Sequence, residues 1–309
     1  MRGFSSRLQL LASLIVALPA WAIAFASSFE ATGLPTSFAR CPQFFLGQKP
    51  PAMPARAQLR ELCFDGFAVL HSGATRTPIY AAQRLNKQAL GGIKRQRSDR
   101  FFADGRLPRS EREELDDYKR SGYSRGHMAA SGDMATEDAM AQSFSLANMV
   151  PQSIRHNSGA WSKIEQDTRK YVQRAKGDVY VVTGAVFGGA AERVGPNGVG
   201  VPSHLFKLVH DARTGQTWVH WQANRDDERP SRPITYEELV RRTSVEWLPM
   251  RNRVARPSLR TAAFTASCPC KGEPRTGLVA GESSEAIDLA GLGEAQTSRS
   301  GPPQVLTFY

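Results

Sequence analysis

Two polar segments carry the residue types that do chemistry, residues 118–133 and 146–165. The first contains Arg125-Gly126-His127. An imidazole is the side chain best suited to act as a base near neutral pH. The second contains Asn157, Trp161 and Glu165, each four positions from the next. On a helix that spacing puts them near one side, with about 6 Å of rise per step and about 12 Å from Asn157 to Glu165. Asn157 can then offer its amide oxygen to an ion, while Glu165 reaches only a water of that ion's shell. Hydrolysis of a phosphodiester needs an activated water and a cation to stabilise charge on phosphorus and on the departing oxygen. An oxygen-liganded, water-rich shell suits Mg²⁺ better than Zn²⁺. Trp161 reads as packing.

These groups need elements to hold them. Apolar residues Trp161, Ile164 and Val172 keep a helical rhythm, so residues 157–174 read as a helix with a charged outer face. Residues 178–187 are rich in Val and end at glycines, the pattern of a buried strand. Residues 205–210 and 217–221 flank Thr214-Gly215 and predict a hairpin. Residues 237–242 predict a short helix capped by Thr235. Upstream, residues 64–69 read as a first strand, and residues 78–84, after the Ser72-Gly73 turn signal, as a second. Residues 94–112 read as a charged loop followed by a short helix.

The two chemical segments together resemble the DNA/RNA non-specific endonuclease family, the sugar-nonspecific nucleases that include mitochondrial endonuclease G. The resemblance rests on Arg125-Gly126-His127, on Asn148-Met149-Val150-Pro151-Gln152, and on Asn157 followed by Gly159, Trp161 and Glu165. Weaker similarity runs from about Cys63 through Thr77-Pro78 and Asp104 to Trp247-Leu248-Pro249. It implies an α+β fold, a ββα-metal (His-Me finger) nuclease with a mixed α/β body. It further implies His127 as general base, Asn157 as Mg²⁺ ligand with Mn²⁺ as a substitute, and Glu165 as the residue that orients a water of the ion's shell. Arg125 would contact the scissile phosphate. A second phosphate-binding arginine is expected upstream of Phe101, with Arg97 the first choice and Arg100 the second. The products would carry 5′-phosphate and 3′-hydroxyl ends. The family usually has Asp before Arg-Gly-His, whereas this chain has Ser124, which brings a hydrogen-bonding hydroxyl and no charge.

The whole chain is consistent with an anionic partner. Its 309 residues carry 40 Lys plus Arg against 29 Asp plus Glu, a formal charge of +11. Basic clusters at 94–100, 119–125 and 163–176 would attract phosphates without reading bases; that DNA and RNA are both substrates is what the resemblance implies. A homodimer and an inhibitor protein are further expected partners; a stable membrane partner is not. Four cysteines exclude a small disulfide scaffold. Cys41 and Cys63 either bridge or remain free thiols, with the bridge favoured; Cys268 and Cys270 lie in a weakly patterned tail. The glycines between Gly188 and Gly200 lack the order of a dinucleotide or triphosphate loop. His156 reads as a surface residue, and Asp133 as structural rather than catalytic.

Residues 1–26 read as a signal peptide: Arg2 and Arg7 precede an apolar run ending in Ala24-Phe25-Ala26. An uncleaved anchor is the alternative. Cleavage would remove two arginines and no acid, leaving a charge of +9. The expected order is then signal peptide, N-terminal arm 27–60, nuclease domain 61–260 and flexible tail 261–309, in a bacterial protein that is periplasmic or secreted. Two other classes remain open: an exported nucleic-acid-binding protein of the same fold without catalysis, and an envelope protein that binds lipid headgroups or acidic polysaccharide.

Overall fold

The computed structural model describes residues 38–91, 100–189 and 191–249. The signal peptide, the tail with Cys268 and Cys270, and Arg97 lie outside the described residues. The frame is a six-stranded antiparallel sheet. Its strands are β1 (Leu59–Cys63), β2 (Ala68–Ser72), β3 (Thr77–Leu85), β6 (Val179–Val186), β9 (His204–Asp211) and β10 (Thr217–Ala223), in the order β1-β2-β3-β6-β9-β10. A separate two-stranded ribbon pairs β4 (Tyr123–His127) with β5 (Met149–Ser153), and a small one pairs β7 (Arg193–Val194) with β8 (Val199–Gly200). The helices are α1 (Lys87–Leu90), α2 (Glu137–Ser143), α3 (Ile154–His156), α4 (Ser162–Arg174) and α5 (Tyr236–Thr243). A π turn, Asn157–Trp161, joins α3 to α4.

Alternation along the central strands divides the core into two layers. Ala68, Leu70, Tyr80, Ala82, Val182 and Phe206 face a layer closed by Phe38, Phe44, Phe45, Leu239 of α5, and Trp247. Val69, Ala81, Ala185 and Leu205 face the opposite layer, built from Met128, Val150, Trp161 and Ile164. The second layer anchors the functional region, because it buries the backs of β5 and α4. On α4, Ile164, Thr168 and Val172 are buried at helical spacing while the outer face stays charged. Each large apolar side chain buried this way stabilises the fold by roughly 1.5–3 kcal/mol.

The sequence expectations hold for residues 178–187, for the hairpin around Thr214-Gly215, and for the last helix. In that helix the Thr235 hydroxyl accepts from the Glu238 N–H at 3.2 Å. The first strand is displaced. Residues 64–67 form the turn between β1 and β2, where Phe64 and Phe67 stack at 4.3 Å. Their apolar character serves that stacking, and the true strand hides behind the charges of Arg60 and Glu61. The short helix expected to end residues 94–112 does not form: residues 109–112 are turn and bend, and the next helical turn is the 3-10 turn Leu115–Tyr118. Cys41 and Cys63 form a disulfide that ties the 38–48 segment to β1. It contributes about 2–4 kcal/mol. Among the described residues, no helix is long and apolar enough to cross a membrane.

Candidate functional site

The β4–β5 ribbon and the helix after it deliver the functional side chains. In β4, alternation places Tyr123, Arg125 and His127 on one face. Gly126 lies opposite Val150 in the register, and its bare backbone rests against Gln152. A Cβ at position 126 would sit 2.1 Å from Gln152 Oε1, so only glycine fits between the arginine and the histidine. The Ser124 hydroxyl donates to the Gln152 carbonyl at 2.9 Å and stitches the ribbon at the position where the resemblance led us to expect Asp.

The loop after His127 is held by a residue the sequence reading gave no individual role. Asn148 Oδ1 accepts from the Ala129 N–H, and its Nδ2 donates to the carbonyls of Ala129 and Ser143, all at 2.9 Å. The His127 ring is edge-on to Phe144, with centroids 5.0 Å apart, and lies 6.0 Å from Phe101. The Arg125 guanidinium carbon sits 3.9 Å from the centroid of that same Phe101 ring. Aromatic rings therefore fix both the arginine and the histidine. Phe101 served the sequence reading only as a landmark for the upstream arginine, and Phe144 was given no role in it.

The helical run begins earlier than expected, at Ile154, so Asn157 is not its first residue. Asp226 from a distant loop accepts from the Ser153 hydroxyl and from the Arg155 N–H at 2.9 Å, satisfying the helix start with a carboxylate. Asn224 supports the same junction, accepting from the Ser153 N–H and donating to the carbonyls of Pro151 and Pro202. The π turn at Asn157–Trp161 changes the face each residue presents, as such turns do at functional sites. Trp161 points into the core, 1% exposed, while Asn157 and Glu165 line the surface cleft. The simple four-residue stripe therefore does not hold across this turn. His156 is buried rather than on the surface: its Nδ1 lies 3.0 Å from Gln152 Nε2 and its ring packs on Trp161.

These elements enclose a cleft of about 470 Å³, lined by Arg125, His127, Asn157, Ser158, Glu165 and Arg169 among others. Arg125, His127, Asn157 and Glu165, named from the sequence, share this one space. Arg100 is exposed next to Phe101 and is not among the residues lining the cleft. Arg169 was read only as surface charge; it lines the cleft and pairs with buried Asp133 at 3.0 Å. Burial pushes the Glu165 carboxyl up to about 7, opposed by the charge of Lys207. Lys207 is itself buried, with Nζ donating to Thr183 Oγ1 at 2.7 Å, and burial lowers its ammonium from the ordinary lysine value. Among the described residues there is no group of three or more His, Cys, Asp or Glu that could hold a metal ion. The cleft's oxygen donors, Asn157, Ser158 and Glu165, fit a hard cation that keeps most of its water, and do not fit a zinc site.

The mixed α/β body thus gathers His127, Asn157, Glu165 and Arg125 on one cleft beside a two-stranded ribbon. The model of the DNA/RNA non-specific endonuclease family matches residues 50–242, and the chain belongs to that family. It is 34% identical over 145 residues to the mitochondrial nuclease EXOG of Danio rerio, covering 43% of this chain and 42% of that protein. The human EXOG match is 33% over 158 residues, covering 48% and 43%. Human mitochondrial endonuclease G is 30% identical over 194 residues, covering 58% of this chain and 64% of that protein. The matched region thus spans less than half the length of the EXOG relatives. A chain of the crystal structure of the EndoG/EndoGI complex superposes with a TM-score of 0.56 at 22% identity, covering 70% of this chain and 92% of that one. That likeness establishes the shared fold.

The relatives correct the expectation of a periplasmic or secreted bacterial protein, because the EXOG and endonuclease G relatives are mitochondrial nucleases. The misreading has a physical reason. A positive, serine-bearing, acid-free leader is also what organelle import uses, and residues 1–26 carry Arg2, Arg7, Ser5, Ser6 and Ser13 with no acid.

Proposed function

We propose that this protein is a Mg²⁺-dependent endonuclease that hydrolyses DNA and RNA without sequence preference, on a ββα-metal nuclease fold. One observation carries the reading: Arg125, His127, Asn157 and Glu165 line the same cleft. A bound divalent cation would supply charge stabilisation at phosphorus and at the leaving oxygen. Asn157 would hold it through the amide oxygen. Mn²⁺ would substitute, since it accepts the same oxygen donors.

In this reading His127 takes a proton from a water whose oxygen bonds to phosphorus. The bond from phosphorus to O3′ breaks, O3′ takes a proton from solvent water and leaves as a hydroxyl, and the phosphate stays on the 5′ end. Arg125 pairs with a non-bridging phosphate oxygen and is kept in place by the Phe101 ring. Glu165 accepts a hydrogen bond from a water in the cleft and keeps it oriented. Arg97 is proposed as a further phosphate contact. The proposed contacts are to phosphates rather than to base edges in a groove, which gives cleavage without sequence preference. Likeness to a chain of the EndoG/EndoGI complex supports a protein inhibitor as a proposed partner; a homodimer is proposed beside it from the family resemblance alone.

The test is cleavage of supercoiled plasmid and of RNA by the purified chain with Mg²⁺, with EDTA as the control. Cleavage that persists in EDTA, or that is unchanged in His127→Ala, rejects this mechanism.

A further inference from the structure

Beside the cleft lies a second groove of about 560 Å³, whose lining includes Phe101, Phe102, Arg109, Leu115, Asp116 and Asn197. Phe102 and Leu115 are 41% and 42% exposed, two of the three large apolar side chains exposed among the described residues. We propose that this groove binds an unpaired nucleobase of the substrate strand, next to the phosphate held at Arg125 and His127. The proposal rests on the nuclease reading and extends it to the form of nucleic acid that binds best.

The groove is built rather than accidental. The Phe102 N–H donates to the Phe144 carbonyl at 3.3 Å, and the Phe102 carbonyl accepts from the Leu146 N–H at 2.8 Å. The backbone is thus pinned where the ring stands in solvent. The opposite walls are locked to each other by buried Asp117. It accepts from the Asn197 N–H at 2.9 Å, from the Asn197 side-chain amide at 3.0 Å, and from the Glu114 N–H at 2.8 Å. Gly195 permits that approach: its φ is +72°, and a Cβ there would sit 2.3 Å from Asp117 Cα.

Position and charge select the occupant. Phe101 belongs to the groove wall, and its ring also packs against Arg125 and His127, so the groove starts one aromatic ring from the cleft. That is within a nucleotide's length of a phosphate in the cleft. The lining also holds the carboxylates of Glu114, paired with Arg112 at 3.0 Å, and Asp116, paired with Lys119 at 2.7 Å, so the groove's charge is balanced and offers no excess cation to a second phosphate. Their oxygens can accept hydrogen bonds from the N–H groups of a base. An exposed ring on a rigid backbone, edged by acceptors, suits a stacked base, and every base has a face to stack. A paired base keeps its faces inside the duplex, so single strands and frayed ends gain most.

The experiment compares two single-stranded hexamers of equal charge at low salt in EDTA, oligothymidylate and its fully abasic counterpart. Wild type, Phe102→Ala and Phe102→Trp are titrated with each, and thermal melting verifies that the variants fold. Wild type is expected to prefer the base-bearing strand by about tenfold or more. Phe102→Ala is expected to lower that preference by about tenfold, with the abasic strand bound as before, and Phe102→Trp to restore it. An unchanged preference in Phe102→Ala overturns the proposal. So does an unchanged preference accompanied by a change in sedimentation, which would make the groove a contact between copies of this chain. Plasmid cleavage by wild type with Mg²⁺ is measured in parallel. If wild type cuts nothing yet shows the Phe102-dependent preference, the nuclease reading fails and the base groove stands. If wild type cuts and Phe102→Ala leaves the preference intact, the groove assignment alone fails.

Discussion

Arg169 Nη1 lies 3.0 Å from Asp133 Oδ1, and this ion pair joins α4, which carries Glu165, to the loop that follows the His127 strand. The Asp133 side chain is only 6% exposed, so its charge is largely withdrawn from water. Removing one member of a buried pair leaves the other uncompensated, which costs more than the pair is worth. Asp133→Ala is therefore expected to lower unfolding free energy by about 3 kcal/mol. It should also raise the Mg²⁺ concentration needed for half-maximal cleavage, because the two halves of the cleft lose their tie. Urea unfolding and a metal titration check both. A stability change below about 0.5 kcal/mol would place the pair with ordinary surface bridges and remove it as the tie.

Gly126 gives a second expectation. A methyl group there meets Gln152 at 2.1 Å from Oε1 and 2.6 Å from Cβ. Gln152 is buried and its amide is engaged with His156, so it has little room to yield. Gly126→Ala is expected to destabilise by about 1–3 kcal/mol through overpacking. Adding Gln152→Ala should recover part of that loss by clearing the space. Thermal melting of the single and double variants decides it; a double variant less stable than the two single losses combined would show that the clash is not the cause.

Buried histidines set the acid limit of stability. Burial lowers His71 to about 4, and His156 likewise to about 4, from an ordinary value near 6.5. Between those values the unfolded chain binds a proton at each site and the folded chain does not. Stability from these groups is thus complete above about pH 6.5 and is lost as pH falls towards 4, by up to about 3 kcal/mol for His71. Urea unfolding at steps from pH 7 to pH 4 should show a falling free energy. His71→Gln should reduce the slope if the variant folds, and a flat profile in the wild type would sink the account.

The parts legible in the sequence were those fixed by local rules. Thr214-Gly215 between alternating strands, the valine-rich run at 179–186 and the Thr235 cap each depend on near neighbours. The parts that were hidden depend on distant partners. The helix begins at Ile154 because Asp226 and Asn224 satisfy its start from some 70 residues away, and no local residue signals this. His156 is buried because Gln152 and Trp161 surround it, although a histidine beside Asn157 looks like a surface residue. Trp161 packs in the core as expected, but the π turn that takes it off the side shared by Asn157 and Glu165 could not be read from spacing that presumes 3.6 residues per turn. Arg125, His127, Asn157 and Glu165 were named from the sequence and share the cleft, whereas the parts of Phe101, Phe144 and Arg169 in holding its shape, and the bonds by which Asn148 of the quoted motif does so, became visible only in three dimensions.

His127 and Asn157 should fail in different ways, and that contrast is the strongest test of the proposed division of labour. They arise on separate elements, the end of β4 and the π turn, and meet only at the cleft. A residue that removes a proton acts in the transition state, so His127→Ala should lower kcat by about 10²–10⁴-fold and leave the Mg²⁺ dependence where it was. A residue that holds the ion acts before the chemical step. Asn157→Ala should move the half-saturating Mg²⁺ concentration upward, with part of the lost rate recovered at high metal, and Asn157→Asp should hold the ion more tightly by adding charge. Both variants should bind an oligonucleotide in EDTA much as the wild type does, since neither supplies positive charge to the phosphates. If instead His127→Ala shifts the metal titration and Asn157→Ala does not, the two roles are exchanged and the histidine belongs to the ion.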